Sequence, residues 1–365
     1  MSTLKVNAIR HNSASSDAIT TASDGTCTAQ VTNNLSNRNL IINGDMAIAQ
    51  RTTSASGKTT GGVFATDRML ADIGTAGTWT ISQDSTSPDG FSKSTKFQCT
   101  TANTSLSASS FLLFQHRLEG CNLQSLAKGT SAAKTFTVSF HVRSNKTGTY
   151  VLGINDRDNS RNNSKSYTIS SANTWEKKTI TFEADTSGAL DDDVNESMRL
   201  DFWLGAGSNF KSGSAVTGWE SNNNVNRAAS LNVNLADSTS NNWYITGLQM
   251  EVGSNATDFE FLPKGQQLAM CQRYMYRCQD RMVGKGQNSA DMYNPRLDHP
   301  VEMRASPTLA NGSFVTHSGS NGTPAISNTR FVGGGGTLSV ALHNNDNNWS
   351  TGAWVKLTGD IIAEL

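Results

Sequence analysis

Toward the end of a long β-prone stretch, Leu248, Met250 and Val252 fall on one side of an extended backbone, while Thr246, Gln249 and Glu251 are small or polar. Successive strand side chains point to opposite faces, so Trp243–Phe261 reads as a half-buried strand closing a sandwich. Its opening partner is read as Asn39–Arg51, roughly two hundred residues earlier. The same period of two recurs between them. Phe136, Val138, Phe140 and Val142 alternate with Thr137, Ser139, His141 and Arg143; Tyr150, Leu152 and Ile154 follow the turn Asn145-Lys-Thr-Gly148, which predicts a hairpin. Ile180 and Phe182, then Met198, Leu200, Phe202 and Leu204, then Leu231, Val233 and Leu235 continue the pattern, and the denser run Phe111–Leu118 suits a central strand covered on both sides. Short alternating strands separated by turn residues predict an all-β protein with a jelly-roll-like sandwich over residues 37–262, not βαβ units.

Around that sandwich the chain divides further. Residues 1–36 hold few apolar side chains, among them Leu4, Val6, Ile9 and Ile19, and an Asp24-Gly25 pair that signals a hairpin. So short a segment, below about 40 residues, rarely folds alone and must lie on copies of itself or on another protein. After the sandwich, Leu268, Cys271 and Met275 stand three and four apart, which predicts a connecting helix over 263–276 started by Pro263 and Gly265. Residues 277–365 read as a C-terminal β-domain, with strands at Val301–Pro307, Leu338–Leu342 and Trp354 onward, and a loop at Gly333–Gly336.

Composition decides what kind of surface these strands carry. Hydrophobic residues make up 36% of the 365 and charged residues 16%, with a formal net charge of +0. Disordered chains combine low hydrophobicity with high net charge, so abundant Ser, Thr, Asn and Gly here point to polar sheet faces and turns. Neutrality, with no basic stripe, argues against nucleic-acid binding, which depends on neutralising phosphates. No apolar run approaches the ~20 residues of a membrane-spanning helix, and Met1–Asn7 lacks a signal peptide's apolar core, so synthesis in a cytoplasm is expected. The five cysteines, Cys27, Cys99, Cys121, Cys271 and Cys278, have neither zinc-site spacing nor the density of a disulfide scaffold, and reduced thiols are expected.

Three segments carry a family resemblance. Asn39–Arg51 with Trp243–Phe261 resembles the opening and closing strands of the carbohydrate-binding-module-like β-sandwich of phage tail fibres. Gly265–Tyr276 resembles the helix that continues such sandwiches, and Leu4–Thr26 looks like the N-terminal segment of marine-phage tail fibres. The resemblance implies a virion-attachment arm at residues 1–36, carried by Leu4, Val6, Ile9 and Ile19, a homotrimer, and contacts with other phage tail proteins. It also implies a structural calcium in some members, for which Asp45 and Glu251 hold the matching places; no other cofactor is expected.

Tests for catalysis find little. Glycoside hydrolysis needs two carboxylates across the scissile bond, and the candidate pairs, Asp156 with Asp158 and Glu183 with Asp185, sit nearly adjacent in polar turns or strand ends. No Gly-x-Ser-x-Gly elbow occurs, the six histidines are scattered, and Gly57-Lys-Thr-Thr60 lacks the upstream glycine of a phosphate loop. Sugar rings stack on aromatic faces. Trp203, which projects opposite to Phe202 and Leu204, Trp219 in a polar loop, and Trp349 and Trp354 in Asn-rich sequence are the candidate glycan or receptor contacts. The expected function is a non-enzymatic tail fibre or tail-associated virion protein that adheres to a host surface glycan or outer-membrane component, without membrane insertion. The alternatives are a structural connector or capsid decoration protein without receptor binding, and a polysaccharide depolymerase.

Overall fold

The computed structural model describes residues 6–14, 17–25, 27–29, 36–286, 292–293, 296–305, 307–317, 328–332, 337–343 and 354–365. Leu4, Trp349 and Gly333–Gly336 lie outside the described residues. At the N-terminal end, β1 (Ala8–Ile9), β2 (Ile19–Thr21) and β3 (Cys27–Ala29) pair antiparallel in that order. Gly25, at φ 86°, sits in the turn between β2 and β3, where a residue lacking Cβ meets no steric penalty. Val6 and Ile9 are exposed and Ile19 is half-buried.

Eleven strands form the main body: β4 (Ser54–Thr66), β5 (Met69–Asp84), β6 (Ser94–Thr101), β7 (Phe111–Glu119), β8 (Phe136–Ser144), β9 (Gly148–Asp156), β10 (Arg161–Ile169), β11 (Glu176–Phe182), β12 (Glu196–Ala206), β13 (Glu220–Ser221) and β14 (Asn242–Val252). They hydrogen-bond in the order β11-β8-β14-β6-β5-β7-β12-β9-β10-β13, with β4 also on β5. The corner is β5. Its first part, Leu70–Gly74, pairs with β7, and its second, Thr78–Asp84, with β6. Thr75 (φ 52°) and Gly77 (φ 82°) bend it in between. A strand that changes partner at a bend passes from one layer of a sandwich to the other. Inward side chains of both layers then meet in one aromatic cluster: Phe97, Phe114, Phe140, Phe202 and Trp243 have ring centroids 5.0 to 6.2 Å apart.

The all-β sandwich agrees with the sequence pattern, but several local expectations do not hold. Asn145–Gly148 is not a hairpin turn, because β8 lies between β11 and β14 whereas β9 lies between β12 and β10. The chain crosses the core there, which alternation cannot reveal: apolar side chains recur at every second position of a strand whichever neighbour it has. Leu231, Val233 and Leu235 are buried but form no strand, since Asn232 accepts from the Thr149 amide and Asn234 caps a short helical turn at Leu235–Asp237. Asn39–Arg51 is likewise no strand. Asn43 (φ 62°) and Met46 (φ 59°) turn the backbone, and Asn43 bonds Ile48 in both directions and the Asp67 carbonyl. It still lies along β14, through Leu40 N–H to Met250 O and Leu248 N–H to Gly44 O. On β14 itself Gln249 and Glu251 are as buried as Leu248 and Met250, so both faces are covered, while Val252 is 36% exposed.

The single-turn α1 (Ser208–Lys211) lies outside the sheets, and α2 (Lys264–Gln272) follows them. The expected helix to Tyr276 stops at Gln272, and Met275 instead opens β15 (Met275–Gly286). With β16 (Met292–Tyr293), β17 (Arg296–Asp298), β18 (Thr308–His317), β19 (Asn328–Val332), β20 (Thr337–His343) and β21 (Trp354–Ile362), it forms two small sheets, β16-β15-β21-β18 and β17-β20-β19. The described residues of Val301–Pro307 are in no strand, and the Arg304 side chain reaches the carbonyls of Val194, Ala363 and Glu364. Glu364 in turn meets Arg51 at 2.9 Å and the buried Arg68 at 2.5 Å, which ties the last residues to the sandwich.

One buried core residue is expected to couple stability to pH. His116 on β7 is fully buried opposite Leu200. Burial, and then the charge of Arg68, hold its imidazole well below the ordinary value, about 6.5. The unfolded chain takes up this proton below about pH 6.5 and the folded one does not, so stability falls with pH by about 1.4 kcal/mol per unit in that window. Replacement by phenylalanine is expected to flatten the melting-temperature profile between pH 6.5 and the folded-state value. An unchanged slope would show that His116 is not the group responsible.

Candidate functional site

Register builds a polar surface on the side of β7-β12-β9-β10 that faces away from the aromatic cluster. Residues directly opposite one another across strands share a face. Arg117, Arg199, Asn155, Asn162 and Glu220 form one row; Leu70, Gln115, Asp201, Gly153 and Ser164 the next; Asp72, Leu113, Trp203, Val151 and Ser166 a third. The strands form because their other residues, such as Leu112, Phe114, Leu152, Ile154, Leu200 and Phe202, are apolar and fill the core. Gly153 leaves the centre of the middle row without a side chain. A Cβ there would stand 3.1 Å from Ser164 Oγ and 3.5 Å from Trp203 Nε1.

Asp201 is the hub. It accepts from Gln115 Nε2 at 2.7 Å and from Arg227 at 2.7 Å, and Arg199 Nε lies 2.9 Å from its Oδ1 as an ion pair out of hydrogen-bonding alignment. Arg117 and Arg199 stand directly opposite each other, a like-charge pair that costs stability; Glu196, 3.7 Å from each, offsets it. Burial raises the Asp72 carboxyl above its ordinary range, against the opposing charges of Arg117 and Arg199. Besides Arg117 Nε and Arg199 Nε, three uncharged buried polar atoms of this face have no hydrogen-bond partner: Gln115 Oε1, Asn155 Nδ2 and Trp203 Nε1. Each such atom costs about 1–3 kcal/mol unless something hydrogen-bonds to it. The arrangement sets a carboxylate, two amides, guanidinium groups and an indole side by side, with Gln115, Asn155, Asp201 and Trp203 each 2% exposed or less.

The residues singled out in the sequence fall in different places. Trp203 belongs to this face but is 1% exposed, not outward-looking, because Phe210 of α1 (ring centroids 5.3 Å apart) and Arg227 (5.1 Å above the ring) cover it. Trp219 is half-buried. Its Nε1 donates to Glu183 O at 2.8 Å, and Lys128 lies 5.1 Å from its ring, so it anchors its loop and does not stand free. Trp354 opens β21, far along the chain from either. Asp45 accepts from Gln267 Nε2 at 2.7 Å, and Glu251 from Gln249 and Thr257, so the two proposed calcium ligands face protein donors separately. Among the described residues no group of three acids, histidines or cysteines is placed to hold a metal.

The carboxylate pairs tested for catalysis are ion-paired or hydrogen-bonded. Asp156 meets Lys128 at 2.5 Å, and Asp158 accepts from the Asp191 amide. Burial opposes ionisation of Glu183 and Asp185, yet hydrogen bonds from Lys165 and Arg161 respectively hold both below the ordinary carboxyl range. Sequence reasoning missed Gln115, Asn155, Asp201 and Arg227. Its available signal was the polar alternate positions of β7, β9 and β12; what it lacked was the order in which those strands pair.

The architecture and face define the class: an all-β sandwich protein with a polar, partly aromatic sheet surface. No protein-family model matches the chain, and neither does any curated protein sequence. Among solved structures it is similar to the enzymatically active domain of tailspike protein 4 of bacteriophage CBA120 (11% identity, TM-score 0.29), over 59% of this chain but only 22% of that one. It is also similar to a family 11 carbohydrate-binding module from Clostridium thermocellum (12% identity, 57% of this chain and 98% of that one, TM-score 0.27) and to a xylan-binding domain from Paenibacillus barcinonensis (9% identity, 57% and 99%, TM-score 0.24). Overlaps this partial bear on neither ligand nor activity.

Proposed function

We propose that this chain is a non-enzymatic tail fibre or tail-associated virion protein of a bacteriophage, and that it adheres to a glycan on the host surface through the polar face around Gly153. The β1–β3 arm attaches it to other tail proteins, and copies of the chain, a homotrimer, act together through high effective concentration. The observation that carries the glycan reading is the set of unpartnered atoms, Gln115 Oε1, Asn155 Nδ2 and Trp203 Nε1, gathered about Asp201. Of the carboxylate pairs weighed for hydrolysis, Glu183 and Asp185 are held below the ordinary range, which does not suit a general acid at that pair.

Asn155→Ala tests the face directly. Its Nδ2 bonds nothing in the folded chain, so removing it relieves an unmet donor and melting should not fall. Affinity of the full chain for isolated host envelopes should fall about tenfold, the effect of one lost hydrogen bond of about 1.4 kcal/mol. Equal affinity of variant and wild type would remove this face from the contact surface, and no envelope binding by either would favour a connector.

A further inference from the structure

The polar face is covered, and among the described residues the one ion pair between cover and face joins Arg227 to Asp201 at 2.7 Å. We propose that Ser208–Ala229 is a hinged flap over the ligand site and that Arg227 is its latch, standing where a hydroxyl- or ammonium-bearing glycan would bind. The inference rests on the reading of this face as the glycan site.

Two limbs of the flap are bonded to each other: Gly213 N–H to Val225 O at 3.0 Å, Ala228 N–H to Phe210 O at 2.8 Å, and Ser214 N–H to Asn226 Oδ1 at 3.0 Å. They can therefore move together. One side is stitched to the body, where β13 pairs with Arg161–Asn162, Asn222 N–H reaches Ser160 O and Trp219 reaches Glu183 O; this is the hinge side. Across the polar rows the attachment is Ala228, fully buried in the core cluster, with one backbone bond and a few side-chain contacts. Asn209 N–H bonds Ala108 O, Phe210 stacks on Trp203 and Phe111, and Arg227 pairs with Asp201. Beneath lie Gln115, Asn155 and Trp203, each 2% exposed or less, with polar atoms that the closed flap does not satisfy. A cover that left no work for a ligand would have filled those valences.

The latch also sets the ligand class. When Arg227 leaves, Asp201 loses a donor and the Trp203 ring loses the cation above it. A neutral or amino sugar restores both, with hydroxyl or ammonium donors for Asp201 and a C–H face for the indole. A uronic acid would bring a second negative charge beside Asp201 and Asp72.

Hydrogen–deuterium exchange and binding on the full chain test this with wild type, Arg227→Ala, Arg227→Lys and Asp201→Asn. The probes are cellohexaose and maltohexaose (neutral), a chitosan hexamer (amino) and hexagalacturonate (acidic). Removing the latch should raise exchange in Ser208–Ala229 about tenfold or more while core strands β7 and β12 stay protected, and Arg227→Lys should restore part of the protection. A neutral or amino probe should bind Arg227→Ala about tenfold more tightly than wild type, because binding no longer opposes the closed state. Unchanged exchange in both Arg227→Ala and Asp201→Asn, or tighter binding of the acidic probe, overturns the proposal. Faster exchange with no probe bound by any form supports the flap and counts against the glycan reading instead.

Discussion

Lys128→Met is expected to destabilise the sandwich by about 3–5 kcal/mol at neutral pH, the cost of breaking a buried ion pair from one side. Lys128 Nζ is buried, 2.5 Å from Asp156 and 3.1 Å from Asp185, and also donates to the carbonyls of Ser187 and Gly188. Methionine keeps the length of the stem but leaves Asp156, 0% exposed, without its cation, and Asp185 with Arg161 alone. At about 2–4 °C per kcal/mol for a domain of this size, melting should fall by about 6–20 °C. The loss has a pH signature. Burial works against ionisation of Asp185, but hydrogen bonds from Arg161, Ser187 and Lys128 outweigh it and depress the carboxyl. A depressed carboxyl contributes fully above its unfolded value, near 3.9, and loses that contribution as pH falls through the folded one. The gap between wild type and variant should therefore narrow in acid. Thermal melts from pH 7 to pH 3 decide this, and a gap that is constant with pH would mean that packing, not charge, had been lost. Adding Asp156→Leu should recover part of the stability, because the uncompensated charge goes with it.

Gly44→Ala should cost about 3 kcal/mol, at the upper end of ordinary overpacking. An alanine Cβ would sit 2.1 Å from Leu248 O and 3.3 Å from the Phe259 ring. The obstacle is backbone, and that backbone is held, since Leu248 N–H donates to Gly44 O and Leu248 O accepts from Asn39 Nδ2. Gly44 is not among the residues with positive φ, so the change isolates close approach from conformational freedom. Denaturant titration should show a lower midpoint with the slope unchanged. A variant as stable as wild type would mean that Asn39–Arg51 can slide off β14 without loss.

How far these features are legible in the sequence varies from one to the next. The Asn39–Arg51 segment and β14 are recognisable as companions, and they do touch, yet the two positive-φ residues that make the first a series of turns carry no period for a reader to see. The stripe Leu268, Cys271 and Met275 marks α2, but Cys271 alone is buried on it with Gln267, and Met275 already belongs to a strand. Among the site residues, Trp203 was legible as the odd aromatic on a strand whose even positions are apolar. Its burial was not legible, because Phe210 and Arg227 reach it from a loop with no regular spacing.

Alternation of apolar and polar residues needs only the backbone's own geometry, so the amino-acid order alone settled that this chain is mostly strands and which of their apolar side chains fill the core; it did not show that many polar alternates are buried too. Which strands lie next to each other depends on where β5 bends and where the chain crosses the core. Only the folded molecule therefore brought Gln115, Asn155 and Asp201 into adjacent rows and laid Arg227 across them. Pairing joins residues scores of positions apart, and no local pattern carries that information.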